Sequence, residues 1–188
     1  MTEFTLYGEP DSGSFTPEAM LALVQAPVRL IDLDLTKLDQ RKPDFLAINP
    51  VGRIPALVTP EGVLLTESVA IILHLAERFA DAGFLPPVGS VARAQAYRVM
   101  MMVASEVYPA VTREDYPERF TPTGEAAEAI RTQAVTDLQA TWSLIERVAV
   151  TGPFVLGDTF CACDLYVVGI SRFILEPAWR AAHVPKRS

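Results

Sequence analysis

The sequence has little with which to build a cross-linked, metallated or membrane-spanning protein. It contains two cysteines, Cys161 and Cys163, too few and too close together for a disulfide framework. Only two histidines accompany them, so a metal site is not expected. No apolar run approaches the roughly 18 residues of a membrane span, and no membrane partner is expected. The N-terminal MTEFTLYG has no basic segment followed by an apolar one, so no signal peptide is read there. Positive charge is also scarce. Sixteen Lys and Arg face 23 Asp and Glu, a formal charge of −7, and no basic cluster offsets this, which argues against nucleic acid. An anionic small molecule stays compatible, because a local pocket can oppose the global sign. A soluble cytoplasmic protein is the expectation.

What is present is core-forming material. Half of the 188 residues are hydrophobic and 21% are charged, a balance that favours one large globular domain or two small ones over disorder. The first eighty residues alternate strand and helix signals. Phe4–Tyr7 reads as a strand. Pro17 to Ala26 reads as a helix, with Thr16 as N-cap and Pro17 at the first helical position. Val28–Leu33 reads as a second strand, and strand–helix–strand in about thirty residues makes a βαβ unit with parallel strands. A short helix is expected around Pro43–Ala47. Ala56–Val58 and Val63–Leu65 flank Thr59-Pro60-Glu61-Gly62, whose Pro and Gly positions suit a type I turn, so a β-hairpin is expected. In TESVAIILHLAERFA, Val69, Ile72, Leu73, Ala76 and Ala80 share one helical face, and Ile71 and Leu75 make the other apolar too. Such a helix is buried on two sides, against the sheet and against a second domain or subunit.

Asp81–Ser90, with two Gly and two Pro, breaks the pattern and reads as a linker. Beyond it no strand pattern stands out. Val91–Tyr108, Glu125–Val150 and Asp164–Leu175 read as helices, with Tyr108-Pro109 ending or kinking the first and Pro117–Gly124 forming a loop. The third is apolar nearly all round and suits the centre of a bundle. The fold class expected is therefore α/β plus all-α: residues 1–80, a linker at 81–89, and a helical domain at 90–188.

The segment NPVGRIPALV (Asn49–Val58) carries the most chemical information. Pro55 stands immediately before a strand, where a missing N–H is tolerated, and Ile54 is pushed toward extended geometry. Composition alone favours an ordinary trans proline. The order of the pieces adds more. FLAINPVGRIPAL, then LLTESVAIILHLAERF, then FVLGDTFCACDLYV resembles the glutathione S-transferase superfamily over nearly the whole chain. That resemblance implies a thioredoxin-like N-terminal domain, a cis-proline at Pro55, and a helical-bundle second domain. It implies glutathione as cosubstrate, with the Ile54 backbone facing its cysteinyl unit and Glu67 and Ser68 holding its γ-glutamyl end. Ser68 lies in a first helical turn, where free N–H groups attract a carboxylate; simple capping by Thr66, Glu67 and Ser68 is the plainer alternative. Arg53 stands where the family often has Lys or Gln; the resemblance implies that it reaches the glycyl carboxylate, and a solvated side chain is an equal alternative.

The loop before the first helix, Asp11-Ser12-Gly13-Ser14, has no cysteine, so thiol–disulfide exchange through it is not expected. Glutathione brings its own thiol, and a serine can donate to its thiolate. Ser12 matches the serine of bacterial relatives with an S-P-x-S loop; Ser14 is the other candidate, and turn or cap chemistry is the plainer role for each. Tyr7 lies where other subgroups carry a tyrosine, but its spacing to Pro17 fits them badly. Met101 and Tyr108, near Met100, Met102 and Tyr116, are candidates for a second-substrate pocket, or ordinary bundle core. Cys161 replaces the Ser or Thr of the family's helix-start segment, and Asp164 remains to cap. His74 reads as a satisfied core or interface residue. The activity implied is a detoxification-type glutathione transferase acting on a small electrophile, as a homodimer. A non-catalytic glutathione-binding or scaffold protein of the same fold is the alternative, since little chain follows Glu176 to close over a second substrate.

Overall fold

A computed structural model describes residues 3–149, 152–171 and 177–183. The chain divides into two compact units, residues 1–84 and 85–188.

The first unit is built on a four-stranded sheet of order β2-β1-β3-β4. Strand β1 (Phe4–Gly8) runs parallel to β2 (Val28–Asp32), and β3 (Ala56–Val58) runs antiparallel to both β1 and β4 (Leu64–Thr66). This mixed sheet with its helices is the thioredoxin-like arrangement. Alternation along β1 separates two layers. Phe4 meets Phe79, which follows helix α3 (Ser68–Arg78), with ring centroids 6.1 Å apart. Tyr7, on the opposite face, meets Phe45 of helix α2 (Pro43–Ile48) at 5.4 Å. Helix α1 (Phe15–Leu23) packs beside α3. In α3, Val69, Ile71, Ile72, Leu75 and Ala76 are buried, while Ala70, Glu77 and Arg78 are exposed. The hairpin closes as its turn residues require: the Thr59 carbonyl accepts from Gly62 N–H at 2.8 Å, and Gly62 takes a left-handed φ of 85°.

Helix α1 departs from its expected bounds at both ends, stopping at Leu23 rather than Ala26. Helix α1 starts at Phe15, two residues before Pro17, with Ser14 rather than Thr16 at the N-cap. Pro17 is accommodated because the first turn of a helix leaves its N–H groups without intrahelical partners.

The second unit is helical among the described residues, apart from an isolated bridge between Phe154 and Gly157. Helix α4 (Val91–Met102) is capped by the Ser90 hydroxyl, which accepts from Arg93 N–H at 3.1 Å. Pro109 does not end the helical run. A π-helical turn over Val103–Val107 precedes it, and helix α5 (Tyr108–Asp115) continues through it. Shifting to i→i+5 bonding just ahead of the proline accommodates its missing N–H, as π turns do within helices. Helix α6 (Gly124–Val148) packs along α5, and helix α7 (Ala162–Ser171) lies on α4. Helix α7 begins two residues earlier than its periodicity indicates, and the expected stretch from 172 to 175 lies outside the described residues. A further short helix, α8 (Pro177–His183), was not expected.

Candidate functional site

Strand register assembles the site. Tyr7 pairs with Ala56, and Ala56 pairs with Thr66. The end of β1, the start of β3 and the end of β4 therefore stand side by side. The three segments attached there carry Ser12 and Ser14, then Arg53–Pro55, then Glu67–Ser68. Gly8 pairs with Asp32, which brings the segment after β2 to the same end of the sheet.

The serine loop is a closed hydrogen-bonded turn. Ser12 is half-buried and Ser14 is 1% exposed. Their hydroxyl oxygens stand 3.0 Å apart, and Ser14 N–H donates to Ser12 Oγ at 3.2 Å. The Ser14 hydroxyl donates to the Glu9 carbonyl at 3.1 Å and accepts from Glu9 N–H at 3.3 Å. At the N-cap of α1, Ser14 makes no side-chain bond to the helix, because its hydroxyl is already turned back onto Glu9. Tyr7 is half-buried against Phe45.

The Ile54–Pro55 bond is cis. The loop before it is organised by Asn49, a residue the sequence reading quoted without assigning it a task. Buried Asn49 donates from Nδ2 to the Arg53 carbonyl at 2.8 Å and accepts Val51 N–H on Oδ1 at 3.1 Å. The Asn-Pro-x-Gly spacing is the signal for such a side-chain-closed turn. Arg53 is exposed, Ile54 half-buried and Pro55 buried. Arg41, also missed, donates to the Val51 carbonyl at 3.3 Å. Two guanidinium-bearing residues thus border this loop, and no sequence motif links them. Gly52, at φ 64°, fits only without a side chain, since a Cβ would stand 2.9 Å from the Gln40 carbonyl.

Glu67 is exposed and holds φ 67°, ψ 123°. It occupies the N-cap of α3, yet its side chain makes no capping bond. Ser68 is half-buried as the first residue of α3. A carboxylate on a strained backbone beside an uncapped helix start suits a ligand that carries both an ammonium and a carboxylate.

In the second unit Met101 is exposed and Tyr108 half-buried, while Met100 is fully buried and belongs to the core. Successive helical residues point about 100° apart, so the three-methionine run is not a single surface. Buried Asp164 accepts from Cys161 N–H at 2.8 Å and from Val155 N–H at 2.6 Å, taking over the cap that Cys161 cannot provide. The Cys163 side chain, by hydrogen bonding, holds the Cys161 thiol below its ordinary pKa against the opposing effect of burial. The cysteines and histidines form no metal-binding cluster among the described residues. His74 is half-buried, and its Nε2 has no hydrogen-bond partner among the described residues.

Comparison with known proteins gives a consistent result. Residues 2–77 match the family model of the glutathione S-transferase N-terminal domain. The chain is 29% identical over 172 residues to glutathione S-transferase GstA of Escherichia coli O157:H7, covering 89% of this chain and 81% of that protein. It is 28% identical over 163 residues to the uncharacterized GST-like protein YncG of Escherichia coli K12, covering 86% and 78%. Among solved structures, a glutathione transferase homolog from Sulfitobacter with bound glutathione superposes with a TM-score of 0.91 at 28% identity, covering 100% of this chain and 89% of that one.

Proposed function

The chain belongs to the glutathione S-transferase superfamily, and on that premise we propose that it is a glutathione transferase whose first unit binds the tripeptide and whose Ser12 hydroxyl stabilises its thiolate. The observation that carries the reading is the Tyr7–Ala56–Thr66 register, which sets a half-buried serine, a main-chain segment and a Glu–Ser helix start side by side. In this reading Glu67 takes the ligand's ammonium and the α3 start takes its α-carboxylate. The Ile54 main chain pairs with the cysteinyl unit, and Arg53 meets the glycyl carboxylate.

A free thiol with a pKa near about 8.5 is only about 3% ionised at pH 7. A hydrogen bond to a charged group is worth roughly 1.5–3 kcal/mol, about one to two units of thiol pKa, and the N-terminus of α1 acts in the same direction. One correctly placed hydroxyl thus raises the ionised fraction at pH 7 from about 3% to between about a quarter and three quarters. The thiolate then forms a C–S bond to an electrophilic carbon, whose leaving group departs with the bonding pair, and the enzyme contributes positioning and charge stabilisation. Met101 and Tyr108 are assigned to the second substrate. The protein is proposed to act in the cytoplasm as a homodimer, the dimer to be read from its sedimentation mass.

Ser12→Ala is expected to lower turnover with a generic aromatic halide by roughly tenfold or more while leaving glutathione affinity nearly unchanged. An unchanged pH–rate profile in that variant removes Ser12 from the role. One observation favours a second reading, a non-catalytic glutathione-binding or scaffold protein: the Ser12 hydroxyl is already engaged by Ser14. Retention on immobilised glutathione without conjugation of the halide selects that reading.

A further inference from the structure

The hydroxyl pair ahead of α1 has too few protons for all of its contacts and a thiolate as well. Among the described residues Ser14 Oγ has three hydrogen-bond neighbours. The Glu9 carbonyl can only accept, so Ser14 spends its single proton there. The Glu9 N–H can only donate. The third neighbour, Ser12 Oγ, must then supply the proton for the 3.0 Å contact between the two hydroxyls, because Ser14 has none left. Ser12 meanwhile accepts from Ser14 N–H. The resting Ser12 proton therefore points at Ser14, and what Ser12 offers a ligand is a lone pair. Ser14 itself is pinned: a Cβ on Gly8 would stand 2.3 Å from its Oγ, and Glu9 is anchored in turn, its Oε1 accepting Leu35 N–H at 3.1 Å.

We propose that Ser14 is a positioning residue that holds the Ser12 oxygen in place and competes with bound thiolate for the Ser12 proton, setting the thiol pKa higher than Ser12 alone would. The proposal rests on the reading of Ser12 as the thiol's donor. A neutral thiol can place its S–H on the free lone pair of Ser12 and leave the Ser12–Ser14 bond intact. When the thiol loses its proton to solvent, the sulfur takes the Ser12 hydrogen bond. Either the contact between the hydroxyls then has no proton, or Ser14 turns its own proton from the Glu9 carbonyl onto Ser12. Both arrangements lose one O–H···O bond within this part-buried turn. No O–H bond breaks; two hydroxyls only reorient. The cost corresponds to about half a unit to one unit of thiol pKa. Glu9, Asp11 and Glu18 are the charged residues in and beside the turn, and Asp32, paired with Gly8, Arg53 and Glu67 stand at the same end of the sheet. All of them are unchanged in the variants below.

The test is an ultraviolet titration of the thiolate band of glutathione bound to the full chain, which needs no second substrate. Ser12→Ala is expected to raise the pKa of the bound thiol. Ser14→Ala is expected to lower it by about half a unit to one unit. In the Ser12→Ala background, Ser14→Ala is expected to have no effect, because Ser14 acts only through Ser12. Should Ser14→Ala not fold, Ser14→Gly, which an N-cap tolerates, is expected to shift the pKa the same way. A rise or no change on altering Ser14 overturns the proposal while leaving the Ser12 role standing. A wild-type protein that binds glutathione without a thiolate band, or does not bind it, removes the Ser12 role and the proposal with it.

Discussion

At the scale of single residues, Glu67 combines a carboxylate with a backbone conformation that L-residues rarely adopt. Such a residue costs about 1–3 kcal/mol, and here no capping bond offsets it. Glu67→Gly relieves the strain at the expense of about 0.5–1 kcal/mol of chain entropy. The variant is expected to be about 1 kcal/mol more stable and, on the proposed role of Glu67, to bind glutathione at least tenfold more weakly. Thermal melts and calorimetric titration check the two halves. A variant that melts lower shows that the conformation is not strained. Gly8 has the opposite character. Its missing side chain makes room for Ser14 Oγ, so Gly8→Ala is expected to destabilise by about 1–3 kcal/mol through overpacking and to disturb the serine turn, both visible in melts and in the thiol titration.

At the scale of elements, two helix ends carry measurable energy. Helix α1 ends with Ala26 N–H bonded to the Leu21 carbonyl and Gln25 N–H bonded to the Ala22 carbonyl. This is the paired closure normally made with glycine in the left-handed position, yet Gln25 occupies it at φ 53°. Gln25→Gly is expected to stabilise the protein by about 1 kcal/mol, read as a higher denaturant midpoint with an unchanged slope. At the start of α7 the two oxygens of Asp164 serve two buried N–H groups. Asp164→Ala leaves both without a partner and is expected to cost about 3–5 kcal/mol; a loss below about 1 kcal/mol would mean that other groups satisfy them. The acidic residue three positions after the cap is a recognisable signal in the sequence. The partner at Val155 is not, because it comes from a turn whose path depends on packing.

At the scale of the whole molecule, charge sets the response to acid. The Lys37 hydrogen bond, then that of Thr36, holds Asp34 well below the usual carboxylate range. Lys42 lowers Asp39. Arg78, bonded at 2.8 Å, and then Thr59 pull Glu61 down to about 2. Groups lowered by folding stabilise the native state above their unfolded pKa values, and that contribution is lost as pH falls through the folded ones. Burial raises Glu114 and Asp115, so these two oppose stability when charged and are relieved by acid. The melting temperature is expected to hold near neutrality and to fall below about pH 4. Glu61→Gln should make the fall shallower, and added salt should do the same because these pairs are exposed. A steeper fall in Glu61→Gln would contradict the assigned sign.

Read by itself, the sequence determined the kinds and order of the elements. The βαβ unit, the Thr59–Gly62 hairpin and the long helices of the second unit follow from periodicity and turn residues, which act over a few neighbouring positions. The motifs around Pro55, Glu67 and Ser68 were legible as a family pattern. Tertiary structure alone decided that Tyr7, Ala56 and Thr66 pair across the sheet and so bring three loops together. It also turned Ser14 back onto Glu9, gave Asn49 the loop before Pro55, and carried the helix through Pro109 by a π turn. These outcomes depend on where hydrogen-bond partners distant in sequence come to rest, and no local pattern of residue types encodes that.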